Sequence, residues 1–489
     1  MRRAILERRL KPGTRLPSSR LMAQDLDCAR GTVVLAFDQL VAEGYVVSQA
    51  GSAMSVAANL PDEMLTVPAA PRKSARAVPE GRAPAKPALA RRTRVLLSEE
   101  PPPVPGGLPA AFPTGQPDRE AFPFALWAKL LEREWRRPGA GEASAVHPFG
   151  HEGLRAAIAA YLGVARGFTC DPAAVVITTG IRHGLALFAE VVLDRGDTAW
   201  IEEPGFVGVR EALAASGVRA VPVRLDTSGF SPEAAQALAP EARLAVVAPA
   251  HHFPLGSVLG LQRRLELLSW AERTRGWIAE DDFDGEYRYS GRPLAPLRTL
   301  DRAGRVAYFS SFSKLLFPAL RLSFLVLPAS LVEATERIMD RVSVRAPLMG
   351  QGALARFIAD GHFAAHLRRT RQLYAGRRQA LLQAAARHLE GLLSIAPDPG
   401  GMHVLASPSA KLAQHFDDVA VTAAAVAEGV TVQPLSVCYA GKPRRHGLIL
   451  GYAGTPEAEI EGALLKLRGV VQRETSRRWG RATPVARHC

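Results

Sequence analysis

Short apolar runs recur through the middle of the chain, and most of them end in a polar or glycine-containing turn that leads into a helix-like segment. The runs span residues 175–178, 198–201, 220–223, 244–248, 277–279 and 306–310. Continuous apolar strands alternating with helices are typical of a parallel sheet that is covered on both faces. We therefore predict an α/β domain on a mainly parallel sheet, whose functional residues lie beyond the carboxyl ends of the strands.

A single lysine occupies the loop after the last of these strands. Lys314 lies among apolar and hydroxyl residues in the segment Phe309–Phe324. An apolar setting lowers the pKa of a lysine, and a lowered pKa favours Schiff-base chemistry. The hydroxyls of Ser311 and Ser313, followed by the guanidinium of Arg321, suit a phosphate group. The loop combines a reactive amine with an anion site, although most lysines are only solvated surface charges.

Two other strand ends supply complementary chemistry. The acidic run Glu280–Asp284 follows a strand directly, and Asp281 suits a protonated pyridine nitrogen. The turn Thr179–Gly184 opens a helix, whose backbone N–H groups bind anions readily. With Lys314, these residues predict a pyridoxal 5′-phosphate (PLP) site. A solvated acidic turn is the ordinary alternative for residues 280–284.

The first 58 residues predict three short helices and a β-wing. The helices are expected at Arg2–Leu10, from Ser18 to about Leu26, and from about Arg30 to Glu43, with strands at Tyr45–Ser48 and Ala53–Ala57. The third helix should bury Val33, Val34, Phe37, Leu40 and Val41, which recur at helical spacing. This arrangement is that of a winged helix-turn-helix, with a small protein-interaction module as the alternative.

Side chains suited to DNA lie on the other face of this unit. Arg30 and Thr32, near the start of the third helix, are expected to reach base edges. Arg15, Ser18 and Arg20 suit phosphate contacts. The formal charge of +14 and the pI of about 10.1 agree with a polyanionic partner such as double-stranded promoter DNA.

Composition divides the rest of the chain. Residues 59–110 are rich in proline and arginine and predict a flexible linker, residues 111–473 form the α/β domain, and residues 474–489 predict a basic disordered tail. Four cysteines show neither CxxC nor metal-ligand spacing, and no apolar run is long enough to span a membrane. These features predict a cytoplasmic protein without a metal site.

The motifs as a set resemble the MocR-type subfamily of GntR-superfamily transcription regulators. The segments that carry the resemblance are Pro12–Arg20, Arg30–Val33, Leu40–Tyr45, His147–Gly150 and the strand-end motifs up to Tyr452. The resemblance implies a winged helix-turn-helix fused to a type I aminotransferase-like domain, with a large mainly parallel sheet and a smaller C-terminal lobe. It also implies a homodimer, PLP as cofactor, and a small amine or amino acid as effector.

The same resemblance assigns roles to particular residues. Lys314 matches the lysine that holds PLP as an internal aldimine, and Asp281 matches the partner of the pyridine nitrogen. The matching phosphate region consists of Ser311, Ser313, Arg321, Gly180 and Ile181.

Several positions depart from the family pattern. Phe283 and Phe206 stand where tyrosine is usual, and His252 replaces a common glutamine near the ring. Residues 448–452 lack the arginine that clamps a substrate carboxylate in aminotransferases. Substitutes for that arginine are Arg210, Arg345, Arg444 and Arg445.

Three functions fit this pattern. The first is a PLP-binding regulator that senses an amine. Several side chains that would hydrogen-bond to the PLP ring are missing, and their loss favours binding of an amine over catalytic turnover. The second is a catalytically active PLP-dependent aminotransferase with an accessory DNA-binding head. The third is a regulator whose aminotransferase-like domain no longer binds PLP and only dimerises.

Overall fold

The computed structural model describes residues 1–47, 54–58, 89–90, 93–94, 97, 111–136, 147–290, 294–342, 344–396, 398 and 400–482. The chain divides into two compact units, Met1–Ala88 and Leu89–Cys489. Most of the predicted linker 59–110 and the predicted wing tip 49–52 lie outside the described residues. No helix in the described ranges is long and apolar enough to cross a membrane.

The first unit is a winged helix-turn-helix. Its elements are α1 (Arg2–Leu6), α2 (Ser19–Asp25), α3 (Arg30–Ala42), β1 (Val46–Val47) and β2 (Ser55–Val56). The two strands pair antiparallel, with Val46 opposite Val56. Helix α1 ends four residues earlier than the sequence predicts, because a turn at residues 7–10 follows Leu6.

Helix α3 buries a narrower stripe than the sequence predicts. Val33, Phe37 and Leu40 are buried in the core of this unit. Val34 and Val41 are 39% and 37% exposed, so their predicted burial is wrong. Both lie one position past a buried residue, about 100° around the helix, and therefore flank the stripe that faces α2.

A seven-stranded sheet forms the centre of the second unit. Its strands are β3 (Val175–Thr178), β4 (Thr198–Glu203), β5 (Arg219–Arg224), β6 (Leu244–Val247), β7 (Trp277–Asp281), β8 (Val306–Ser311) and β9 (Ser323–Val326), in the spatial order β3-β9-β8-β7-β6-β4-β5. The neighbouring strands β8 and β7, β7 and β6, β6 and β4, and β4 and β5 pair parallel. Strand β9 runs antiparallel to both of its neighbours, β3 and β8. The predicted α/β fold on a mainly parallel sheet is confirmed.

Both faces of this sheet are covered, as the apolar runs predict. Ala199, Ile201 and Val246 pack into a core on one face, whereas Trp200 and Ala245 pack on the other. The helices that surround the sheet are α4 (Phe124–Arg136), α5 (Glu152–Ala165), α6 (Ile181–Val192), α7 (Val207–Ala215), α8 (Pro232–Leu238), α9 (Leu261–Thr274), α10 (Phe312–Leu315), α11 (Val332–Val342) and α12 (Gln351–Ala359). Because strand side chains alternate between faces, a strand buried on both sides must be apolar throughout.

The C-terminal part of this unit forms a smaller lobe. Its elements are α13 (His362–His388), β10 (Leu393–Ile395), β11 (His403–Pro408), α14 (Asp418–Ala427), β12 (Gln433–Pro434), β13 (Leu448–Gly451) and α15 (Glu457–Ala482). The four strands form an antiparallel sheet in the order β10-β11-β13-β12. The tail predicted to be disordered from residue 474 is helical up to Ala482, since Val471 and Thr475 continue the buried stripe of α15.

Candidate functional site

A cavity lies beyond the carboxyl ends of the central parallel strands. Its empty volume is about 920 Å³, open space at its mouth included. Six predicted site residues line it: Lys314, Asp281, Phe283, Ser311, Phe206 and Ile181. The last residues of β4, β6, β7 and β8 meet here because parallel strands place their carboxyl ends at the same edge of a sheet.

The acidic run divides between the two sides of β7. Glu280 accepts two backbone N–H hydrogen bonds, at 2.5 and 2.9 Å, and Asp282 forms an ion pair with Arg166 while accepting a hydrogen bond from Tyr308. Asp281, between them, points into the cavity and has no hydrogen-bond partner among the described residues. The alternation of strand side chains thus separates two structural carboxylates from one that is available to a ligand.

Lys314 occupies the cavity as an amine without a polar partner. Its Nζ lies 5.1 Å from the centre of the Phe283 ring and 5.8 Å from that of Phe206, and it forms no hydrogen bond or ion pair with the residues that the structure describes. Burial lowers the pKa of Lys314, although Asp284 and Asp281 oppose this change. A lowered pKa leaves a larger fraction of the amine unprotonated and nucleophilic.

Asp281 shows the complementary change. Burial raises the pKa of Asp281 to about 7, while the nearby Lys314 acts to lower it. Ionising this carboxyl in the apolar cavity is therefore costly. A cationic partner inside the cavity, such as a protonated ring nitrogen, would stabilise the ionised form.

Hydroxyl groups gather beside the lysine. Ser311 Oγ accepts a hydrogen bond from Ser323 at 2.9 Å. The Oγ atoms of Ser310 and Ser313 are buried without a partner in the described structure. Buried hydroxyls normally have partners, so these two groups fit a polar ligand that the described residues do not supply.

The start of α6 adds backbone donors to the same region. Gly180 precedes the helix with φ of +154° and provides no side-chain cap. A Cβ at Gly180 would lie 3.8 Å from the guanidinium of Arg321, an exposed residue whose φ of +50° is left-handed. Uncapped helix N–H groups close to an arginine suit a phosphate. Gly180, Ser313 and Arg321 border the cavity lining without belonging to it.

His252 does not line the cavity. It is buried, with Nε2 3.7 Å from Oε2 of Glu202, which does line the cavity. Burial and the neighbouring His251 lower the pKa of His252 to about 3, and burial raises that of Glu202 to about 8. Both side chains are therefore neutral near pH 7. His252 therefore lies next to Glu202 and is not part of the cavity lining itself.

A buried charge cluster that the sequence analysis missed joins the large domain to the small lobe. His251 Nδ1 lies 3.0 Å from Asp284, and its Nε2 lies 3.1 Å from Asp398. Burial alone would lower the pKa of His251, but the two carboxylates raise it to about 10. The only sequence signal was the His251-His252 pair itself, because Asp398 is distant along the chain.

The four candidate arginines lie in different places. Arg210 lines the cavity, Arg444 lines a neighbouring cleft, and Arg345 pairs with Asp340 at 2.8 Å. Arg445 lines neither the cavity nor the cleft. No group of His, Cys, Asp or Glu within the described ranges is placed to hold a metal ion.

In the winged-helix unit, all five predicted DNA-contacting residues are exposed. They are Arg15, Ser18, Arg20, Arg30 and Thr32. Ser18 Oγ accepts a hydrogen bond from the backbone N–H of Leu21 and so caps α2. Arg30 Nε donates to Ser19 at 3.3 Å, which holds its guanidinium at the start of α3.

Comparison with known proteins gives matches along nearly the whole chain. The bacterial regulatory protein gntR family matches residues 1–56, and aminotransferase class I and II matches residues 116–467. The probable rhizopine catabolism regulatory protein MocR of Rhizobium meliloti is 38% identical over 468 residues, covering 96% of this chain and 91% of the relative. The HTH-type transcriptional regulator TauR of Rhodobacter capsulatus is 32% identical, with coverage of 95% and 93%.

The solved structures agree for the second unit. The α-aminoadipate aminotransferase LysN of Thermus thermophilus, complexed with N-(5′-phosphopyridoxyl)-L-leucine, is 26% identical with a TM-score of 0.67. The match covers 79% of this chain and 96% of LysN. With a GntR-type head and an aminotransferase domain in one chain, this protein belongs to the MocR-type branch of the GntR family of transcription regulators.

Proposed function

We propose that this transcription regulator binds promoter DNA through its winged helix and senses a small amine or amino acid through PLP held by Lys314. One observation carries the proposal: Lys314 and Asp281, both without hydrogen-bond partners in the described structure, face the same apolar cavity beside the unsatisfied Ser310 and Ser313 hydroxyls. An amine, a carboxylate and a hydroxyl-rich anion site are the groups that PLP requires.

The residues present fit the cofactor. Lys314 would hold it covalently, and Asp281 would pair with its pyridine nitrogen. Ser311, Ser313, Arg321 and the start of α6 at Gly180 and Ile181 would hold its phosphate. When bound, the group supplies an electrophilic carbon that exchanges one amine for another.

The protein's own groups set the conditions for that exchange. Phe206, Phe253 and Phe283 line the cavity and give it an apolar wall beside Lys314. The lowered pKa of Lys314 makes it easier for its amine to lose a proton and to take part in proton transfer. The ionised form of Asp281 would keep a proton on the ring nitrogen of a bound cofactor.

Several features favour sensing over turnover. Phe206 and Phe283 offer no hydroxyl to the cavity, and β13 with the residue after it offers no arginine. An active aminotransferase remains the second candidate, because Lys314 and Asp281 share the cavity with Arg210. We further propose a homodimer, whose two-fold symmetry would match a pair of DNA half-sites.

The test uses the full-length protein supplied with PLP. We expect a visible absorption band that Lys314→Ala abolishes and that a responsive amine shifts, with a parallel change in promoter binding. A band unaffected by Lys314→Ala would refute the role of this lysine. Rapid conversion to the pyridoxamine form with several amino acids would establish the aminotransferase instead.

A further inference from the structure

A second depression opens beside the cavity. This basic cleft has an empty volume of about 1430 Å³, open solvent included, and is lined by residues of β4, β5, α7 and the segment 440–444. Arg210 and Ala440 line both the cavity and the basic cleft. A ligand that fills the cavity and extends past Arg210 therefore enters the basic cleft.

Positive charge dominates the lining of the basic cleft. Its cations are Arg210, Arg219, Lys442 and Arg444, and its only acid is Glu203. Glu203 accepts backbone N–H hydrogen bonds from Ala440 at 3.1 Å and from the next residue at 3.3 Å, so its carboxylate fixes the loop that carries Lys442 and Arg444.

Three of these cations differ in whether they form ion pairs. Arg219 forms an ion pair with Glu241. Lys442 and Arg444 form no ion pair with any residue in the described ranges. These two side chains, on a loop whose backbone is held by Glu203, are positioned to meet an anion from outside the chain.

The cavity itself has fewer positively charged side chains for an anion than the basic cleft has. Apart from Lys314, which is assigned to the cofactor, Arg210 is the only cation that the described residues contribute to its lining. Asp281 also lines it and would repel an anion when ionised. An anionic group on the effector is therefore better stabilised in the basic cleft, away from the reacting amine.

Resting on the proposed function, we propose that the effector carries, remote from its amine, an anion with two negative charges that binds in the basic cleft. A phosphate monoester is the simplest such group. Lys442 and Arg444 together carry two positive charges, which match the two negative charges of such an anion. The amine reaches Lys314 while the anion stays at the mouth.

The experiment titrates PLP-loaded, full-length protein with aminoalkyl phosphates of two to six carbons and with the matching amino alcohols, following the visible band. We expect at least one phosphate to half-saturate the response at a concentration roughly tenfold or more below that of its alcohol. The double variant Lys442→Gln, Arg444→Gln should remove this preference and leave the response to the alcohols unchanged.

Arg445→Gln is the matched control, because this exposed arginine is next to Arg444 but does not line the basic cleft. It should keep the preference. If no phosphate surpasses its alcohol, or if the double variant alters only DNA affinity, the inference is overturned. Loss of the visible band, or of every response to amines, would instead count against the proposed function.

Discussion

Lys314 Nζ lies 5.1 Å from the centre of the Phe283 ring, whose side chain offers it no hydroxyl. The family resemblance predicts a tyrosine at position 283, so the lysine of this chain has an aromatic face where that resemblance implies a phenol. Phe253, whose ring centre is 6.4 Å from that of Phe283, extends the apolar wall. The described residues thus place aromatic rings beside the amine and give it no hydrogen bond.

Phe283→Tyr should restore a donor beside the lysine nitrogen. The phenol would stabilise negative charge on the bound cofactor next to that nitrogen, so the nitrogen should lose its proton at lower pH. A hydrogen bond of about 1 kcal/mol corresponds to a decrease of roughly 0.7 in the midpoint pH of the visible band. Phe253→Tyr adds a phenol elsewhere in the cavity and should shift the midpoint less. An unchanged midpoint in Phe283→Tyr would contradict the placement of this ring.

Asp281→Asn should stabilise the cofactor-free protein and weaken its hold on PLP. The folded carboxyl, with a pKa of about 7, holds its proton more tightly than the unfolded one, whose pKa is 3.8. Its contribution to stability therefore falls as pH rises from about 4 to 7. At pH 8 we expect the variant to gain about 1–3 kcal/mol, discounted for partial exposure, and at pH 4 almost nothing.

Unfolding curves at both pH values and PLP retention in dialysis measure the two effects of Asp281→Asn. The neighbouring Asp282→Asn is the control, since Asp282 pairs with Arg166 on the opposite side of β7. It should destabilise the protein. Equal retention of PLP by Asp281→Asn and the unchanged protein would exclude a role for Asp281 at the ring.

The sequence predicted the sheet and the cavity because both follow from local patterns. Buried strands must be apolar, so the ends of β7 and β8 were visible in the sequence and placed Asp281 and Lys314 at one edge. The position of His252 was not predictable in this way, since a loop carries no periodicity to show which side chain faces the cavity. The structure turns His252 away and brings Glu202 there instead.

Charge pairs between segments that are distant along the chain also could not be predicted from the sequence. Asp398 reaches His251 only because the small lobe folds back on the large domain, and Arg210 meets the segment 440–444 for the same reason. The burial of α3 was overestimated at Val34 because an apolar residue at the flank of a helix packs only if a neighbouring element covers it. Such coverage depends on tertiary structure.

His251→Asn should destabilise the second unit, because it leaves Asp284 and Asp398 buried without their cation. Removing one partner of a buried ion pair typically costs about 3–5 kcal/mol. The pKa of His251 rises from 6.5 to about 10 on folding, so its stabilisation is fully present below pH 6.5 and is lost as pH rises through 10. The loss caused by the variant should therefore be greatest below pH 6.5 and small above pH 10.

Urea unfolding at several pH values measures this dependence. His403→Asn removes a nearby imidazole whose pKa burial and His251 lower to about 4, so it is already neutral. The cost of His403→Asn should not vary between pH 8 and pH 10, where the histidine is neutral in the unfolded chain as well. A cost of His251→Asn that is also independent of pH would show that its histidine acts through packing and not through charge.

Arg30 and Arg15 should contribute differently to DNA binding. Arg30 is held at the start of α3 by its hydrogen bond to Ser19, and we expect it to read a base, whereas we expect the exposed Arg15 to contact a phosphate. Arg30→Ala should weaken binding to the cognate promoter by about 1–3 kcal/mol and binding to random DNA by much less. Arg15→Ala should weaken both, and should reduce the slope of log affinity against log salt by about 1. Gel-shift titrations of both DNAs at several salt concentrations distinguish these outcomes, and an equal loss on both probes for Arg30→Ala would assign Arg30 to the phosphate backbone.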